Sequence, residues 1–338
     1  MSKAPQVRLA LAFTCIALLT FSIFFVRSHP QGPADYLVSN QGDELLVEIP
    51  AGASGGDIAS ILLKAGVIKS TAAFFGLAVT DPRSSSIAPG THRLSATIPA
   101  RIALDQLLDS KRIANLVKIA EGSWSSEVFA ELEKNGISTK DIHKSVLQVK
   151  LPSGITSLEG TFFPAQYSFA KGTTAILALQ KMVDRFTEEA KASGIYSGTS
   201  DFSFQSLLTI ASLVQAEGDE KDFGKISQVI RNRLKLGMPL EFDTSIHFIK
   251  KVRGQIFLST ASTKIPSLYN TYLHTGLPPG AIGNPGRKAM DAAITPESGD
   301  WIFFITVAPG DTRFTSKYSE FSRWKSEYER NLRNGVFK

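Results

Sequence analysis

Residues 203–218 read SFQSLLTIASLVQAEG: a serine, a nearly unbroken apolar run, then a glutamate and a glycine. The spacing predicts a helix from Ser203 to Glu217, closed by Gly218. At about 100° per residue, Ile210, Leu213 and Val214 fall within about 60° of Glu217, and Gln215 lies about 160° away. Glu217 therefore projects from the apolar face. A charged carboxylate without a partner is costly there, so desolvation raises its pKa. A carboxyl that keeps its proton near neutral pH is what general acid catalysis needs. A plainer reading stands beside this one: a helix-end glutamate that reaches solvent past Gly218 or pairs with an arginine.

Working outward, Asp219 to Leu236 predicts the next helix, with acids in its first turn and Arg231, Arg233 and Lys235 near its end. Those charges suit the helix dipole at both ends, and Gly237 is the stop. Upstream, Thr173 to about Gly194 predicts a long amphipathic helix, followed by a Gly/Ser loop to Asp201. Leu158 to Pro164 forms an aromatic turn. Trp301 to Val307 predicts a buried strand. Residues 151–338 thus form one predicted domain of mixed α+β class.

Before it lies a repeat at an offset of 70. Val47, Ile49, Gly52, Ile58, Leu62, Gly66 and Val67 match Val117, Ile119, Gly122, Val128, Leu132, Gly136 and Ile137. Each copy starts with a short alternating strand and continues as a helix stopped by glycine. Between the copies, a Pro89-Gly90 turn leads to a predicted strand from His92 to Ser95. A helix follows, with Ile102, Leu104, Leu107 and Leu108 inward. Residues 44–150 are therefore small β-α units. Their spacing is that of scaffold packing and does not by itself indicate sugar binding.

The N-terminus carries an uncharged run from Leu9 to Val26, preceded by Lys3 and Arg8 and followed by Arg27. Eighteen apolar residues make about 27 Å of helix, enough to cross a hydrocarbon core. A cleaved signal peptide is the competing reading, but Phe24, Phe25 and Val26 make a poor cleavage site. The prediction is a cytoplasmic tail (1–8), a single-pass transmembrane anchor (9–27) and a polar tether (28–43). The flanking charges keep the tail cytoplasmic and place the remainder outside the bacterial inner membrane, on the periplasmic side.

Composition narrows the function. Thirty-seven Lys and Arg against 31 Asp and Glu leave a net charge of +6, a mild excess without the clustering a nucleic-acid binder shows. The single cysteine, Cys15, sits in the apolar run and excludes an intramolecular disulfide. The histidines at 29, 92, 143, 247 and 274 have no zinc-site spacing. No metal or other cofactor is expected.

Several motifs carry a resemblance. Ile210 to Gly218 is similar to the signature helix of the YceG-like family of endolytic murein transglycosylases, and Val229 to Leu240 to the helix and turn that follow it. Asp243 matches an acidic position. Tyr269-Asn-Thr-Tyr272, Gly276-Leu-Pro-Pro-Gly-Ala-Ile282 and Asn284-Pro-Gly286 resemble the family's most distinctive block. Leu158-Glu-Gly160 with Phe163-Pro164 resembles an earlier motif. The anchor fits, and residues 44–150 correspond to the family's LysM-like region. The chain departs from the pattern at Gln215, where the family has a second glutamate, at Ala165-Gln166 before Tyr167, at Thr244, where the family has proline, and at Thr312.

The resemblance implies a lytic transglycosylase acting on peptidoglycan, with Glu217 as its one catalytic carboxylate. It cleaves the β-1,4 bond between MurNAc and GlcNAc in nascent strands and leaves 1,6-anhydro-MurNAc ends. Glu159, Asp243, Tyr269, Asn270 and Tyr272 become substrate-binding candidates, with turn and core roles as their alternative. Peptidoglycan strands are the implied partner, and peptidoglycan synthases are candidate protein partners. Two alternatives remain open: a hydrolytic muramidase using Glu217 and Asp243 with water, and an inactive wall-binding protein.

Overall fold

The computed structural model describes residues 16, 20, 32–38, 41–50, 52–114, 116–169, 172–253 and 259–337. These form a mixed α+β fold of helices and two-stranded sheets. Contacts divide the chain into two compact units, Met1–Asn115 and Leu116–Lys338.

In the first unit, β1 (Glu44–Ile49) pairs antiparallel with β2 (Gly90–Ser95), from Glu44 opposite Ser95 to Ile49 opposite Gly90. Between them run α1 (Gly55–Lys64) and α2 (Thr71–Thr80); α3 (Ala100–Leu108) follows β2. Ser54 and Asp57 cap α1 reciprocally, and Ser70 caps α2 through the Ala73 amide. Val47, Ile49, Leu62, Phe74, Leu94 and Leu104 fill the core.

The second unit opens with the same β-α-α-β order: β3 (Leu116–Lys118), α4 (Ser125–Lys134), α5 (Thr139–Val146) and β4 (Gln166–Ser168), with β3 and β4 antiparallel. The repeat predicted at an offset of 70 is thus realised twice as strand and helix. The sequence predicts a boundary between 150 and 151, whereas contacts divide the chain at 115/116. The reason is that the second copy's closing strand lies beyond Leu151. Its core of Val117, Val128, Leu132 and Ile142 is also shared with Ala178, Leu179, Met182 and Val183 of α6 (Ala175–Ser193). Gly194, at φ +90°, ends α6 in a left-handed conformation that glycine adopts without strain.

The remaining elements are α7 (Phe204–Glu217), α8 (Phe223–Lys235), α9 (Asp243–Lys250), α10 (Arg287–Ile294), the antiparallel pair β5 (Phe303–Ala308) and β6 (Asp311–Thr315), and α11 (Tyr318–Arg333). Two predicted elements differ. The helix expected from Asp219 starts at Phe223, after a separate 3-10 turn at Glu220–Asp222. The strand expected from Trp301 starts at Phe303, and of its residues only Val307 is buried, because a two-stranded sheet leaves edges that neighbouring helices cover incompletely.

Among the described residues no helix is long and apolar enough to cross a membrane. The predicted anchor at 9–27 lies outside the described residues, Ile16 and Thr20 excepted.

Candidate active site

The α7 helix is the centre of the second unit's core. Every residue from Leu207 to Val214 is buried, so the helix is enclosed on all sides rather than along one face. Its polar side chains are satisfied internally: Thr209 Oγ1 donates to Gln205 O, and Ser212 Oγ donates to Thr209 O while accepting from Ile282 N at 3.0 Å. What sets Glu217 apart is therefore its place in the last turn, where the helix emerges and residues 215–218 become partly exposed. Gly218 lets α8 approach there: a Cβ at 218 would lie 2.3 Å from Ile226 Cδ1.

Glu217 faces the start of α9. Phe242 precedes that helix and offers no side-chain cap. The Glu217 carboxylate sits against this first turn and accepts the Thr244 hydroxyl. Burial pushes its pKa up to about 7; the Thr244 hydroxyl opposes this, the nearby Asp243 charge reinforces it, and Arg233 opposes it again.

Asp243, the first residue of α9, accepts a hydrogen bond from the Tyr272 hydroxyl. Burial and that carboxylate push the Tyr272 phenol pKa up, so it stays protonated as a donor. The 269–272 segment is held against the start of α9 by two bonds: Glu241 N donates to Thr271 O at 3.0 Å, and Phe242 N to Thr271 Oγ1 at 2.9 Å. Arg233 is 6% exposed and donates to Ile302 O, Pro239 O and Leu240 O, with Glu241 as its ion-pair partner at 3.3 Å. It is a buried cation near Glu217 and Tyr272, and its significance was invisible in the sequence beyond a suitable charge for a helix C-terminus.

The other candidates form a neighbouring group. Glu159 caps α4, accepting the Ser125 N–H at 3.0 Å; burial raises its pKa and that bond lowers it. Tyr269 packs its ring 5.1 Å from that of Phe248, and burial, then the Glu159 charge, pushes its phenol up. Asn270 does not join either group. It is 0% exposed, with Nδ2 donating to Thr263 O and Ile265 O and Oδ1 accepting from Tyr272 N, so it organises the loop that carries Tyr269 and Tyr272.

Beside Glu217 lies a cavity of about 210 Å³ whose lining includes Trp124, Ser212, Ala216, Thr244, His247 and Arg253. Arg253 stacks on Trp124 at 3.8 Å and pairs with Glu127 at 2.7 Å. Asn284 of the Asn-Pro-Gly motif is fully buried. It bonds Phe162 N through Oδ1 at 2.7 Å and Ser123 O through Nδ2 at 2.7 Å, tying the start of α4 to the rest of the site.

A partly buried carboxyl with its pKa pushed up to about 7 can deliver a proton and take one back. The chain is 31% identical over 308 residues to an endolytic murein transglycosylase of Bacillus subtilis, covering 83% of this chain and 84% of that protein. It is 28% identical over 244 residues to one from Streptococcus pneumoniae, covering 69% of this chain and 44% of that protein. A crystal structure of a yceG-like protein from Listeria monocytogenes superposes with a TM-score of 0.57 at 25% identity, covering 83% of this chain and 98% of that one. The model of the YceG-like family matches residues 47–327, and the chain belongs to that family.

Proposed function

We propose that this protein is a lytic transglycosylase that cuts peptidoglycan between MurNAc and GlcNAc, with Glu217 as acid and then base. The observation that carries this reading is the Glu217 carboxyl, partly buried in the last turn of α7 against Thr244, with its pKa pushed up by burial to about 7. In the first step Glu217 gives its proton to the glycosidic oxygen, the C1–O bond breaks, and the GlcNAc part leaves as an alcohol. The C6 hydroxyl oxygen of the same MurNAc then bonds to C1, and its proton returns to Glu217. The products carry a 1,6-anhydro ring and the enzyme is restored without added water. Because the nucleophile is tethered to its target, a single carboxylate suffices.

Asp243 supports a second reading, hydrolysis with Asp243 activating water, since its charge reaches Glu217. Against it, the Asp243 carboxylate is already engaged by the Tyr272 hydroxyl. Mass spectrometry of purified glycan strands digested by the protein separates the two. Anhydro ends support the lytic reaction, and reducing MurNAc ends overturn it.

The proposal includes the setting: a 9–27 anchor, an extracytoplasmic body, LysM-like glycan contacts by the β-α-α-β modules, and synthases as neighbours. The uncharged run and its flanking charges support the anchor. Protease added to spheroplasts is expected to degrade the body; full protection beside a degraded periplasmic marker overturns the topology.

A further inference from the structure

We propose that Thr244 is the positioning residue of the proton transfer: its hydroxyl holds one Glu217 oxygen as a fixed acceptor, so that the other oxygen alone carries the mobile proton. This rests on Glu217 being the acid and base.

The argument starts from the bond itself. Thr244 Oγ1 donates to Glu217 Oε1. In a protonated carboxyl the carbonyl-type oxygen is the better acceptor, so a donor on Oε1 directs the proton to Oε2. The two oxygens are thereby made unequal. The donor comes from the first turn of α9, where the helix dipole favours negative charge.

The donor is held rigidly. Threonine has few χ1 choices in a helix. Its neighbours on both sides are locked: Asp243 by the Tyr272 hydroxyl, and buried Ser245 by its bond to Phe242 O at 2.7 Å and its contact with Thr271 Oγ1 at 3.0 Å. The bond also favours the carboxylate left after the first proton transfer, without which Glu217 cannot serve as base.

The test compares Thr244→Val, which keeps the shape and removes the hydroxyl, with Thr244→Ser, which keeps the hydroxyl. The full chain, labelled with ¹³C-carboxyl glutamate, is titrated by difference infrared spectroscopy, with the Glu217 band assigned by Glu217→Gln. Thr244→Val is expected to raise the Glu217 midpoint by roughly one pH unit, and Thr244→Ser to restore it. On purified glycan, Thr244→Val is expected to lower kcat by about tenfold and move the alkaline limb of kcat/KM upward, with Thr244→Ser again close to wild type. A Thr244→Val protein with the wild-type melting temperature and an unmoved midpoint overturns the proposal. So does a Thr244→Ser protein that titrates like Thr244→Val. If the wild type releases no glycan product, the reading of Glu217 itself fails; the infrared midpoint, read without turnover, keeps that failure distinct from a failure of the Thr244 bond.

Discussion

Gln215 Oε1 accepts the backbone N–H of Gly286 at 2.9 Å, while Glu217, two residues on, turns to Thr244. Gln215 thus ties the end of α7 to the cap of α10, and its carbonyl oxygen serves there without bringing a second charge beside Glu217.

Gln215→Ala should therefore act on stability. Leaving the Gly286 amide without its acceptor is expected to cost about 1–2 kcal/mol, read as a lower denaturation midpoint at unchanged slope. The infrared midpoint of Glu217 should not move. A shift of that midpoint comparable to Thr244→Val would show that the two side chains are not independent.

Glu217→Gln keeps size and shape but can neither give nor take the required proton. Anhydromuropeptide formation should fall by at least about a hundredfold, the usual scale for losing a general acid or base. The fold should survive, with stability equal to or above the wild type at pH 8, because a costly buried charge is gone. Wild-type turnover by this variant would end the assignment.

The pH dependence follows from the same carboxyl. Its folded value of about 7 lies above the ordinary 4.5. The folded state therefore binds this proton more tightly than the unfolded one, and stability falls as pH rises from about 4.5 to about 7. The loss is on the order of 2 kcal/mol, allowing for partial exposure. Glu217→Gln should remove that part of the slope in denaturation curves taken from pH 5 to 8. In kcat/KM, activity that needs a protonated acid should decline above about pH 7.

Asn270→Ala tests whether this residue is scaffold. It would remove the bonds to Thr263 O, Ile265 O and Tyr272 N and should destabilise by about 2–4 kcal/mol. With glycan cleavage measured well below the melting range, the loss should track loop order, appearing as weaker retention of structure around Tyr272 in hydrogen exchange. A fully stable variant with lost glycan binding would instead make Asn270 a substrate contact.

Gly218→Ala should also destabilise, by roughly 1–3 kcal/mol, because the new methyl group meets Ile226 Cδ1 in a fully packed core. Pairing it with Ile226→Val, which removes that atom, should recover part of the loss. No recovery would mean that the close contact is not the cause.

The sequence by itself determined the class of the fold, the start and stop of α7 and the repeated strand-helix copies, and it pointed to Glu217 as the candidate acid. Those features depend on neighbours within a turn or two: helical spacing, serine caps and stopping glycines act locally. The route to Glu217 was nevertheless incomplete. An apolar face was expected to raise its pKa, yet α7 is buried all round, and the environment that matters is assembled from other segments. Only the tertiary structure decided that Thr244 and Asp243 meet Glu217 and Tyr272 across 27 and 29 residues, that Arg233 turns inward, and that Asn270 serves its own loop. It also set the division at 115/116, because β3 finds its partner in β4, beyond the boundary that local texture marked. Hydrogen-bond partners that distant are chosen by how elements cross in the packed core, and no periodicity or cap along the chain records that crossing.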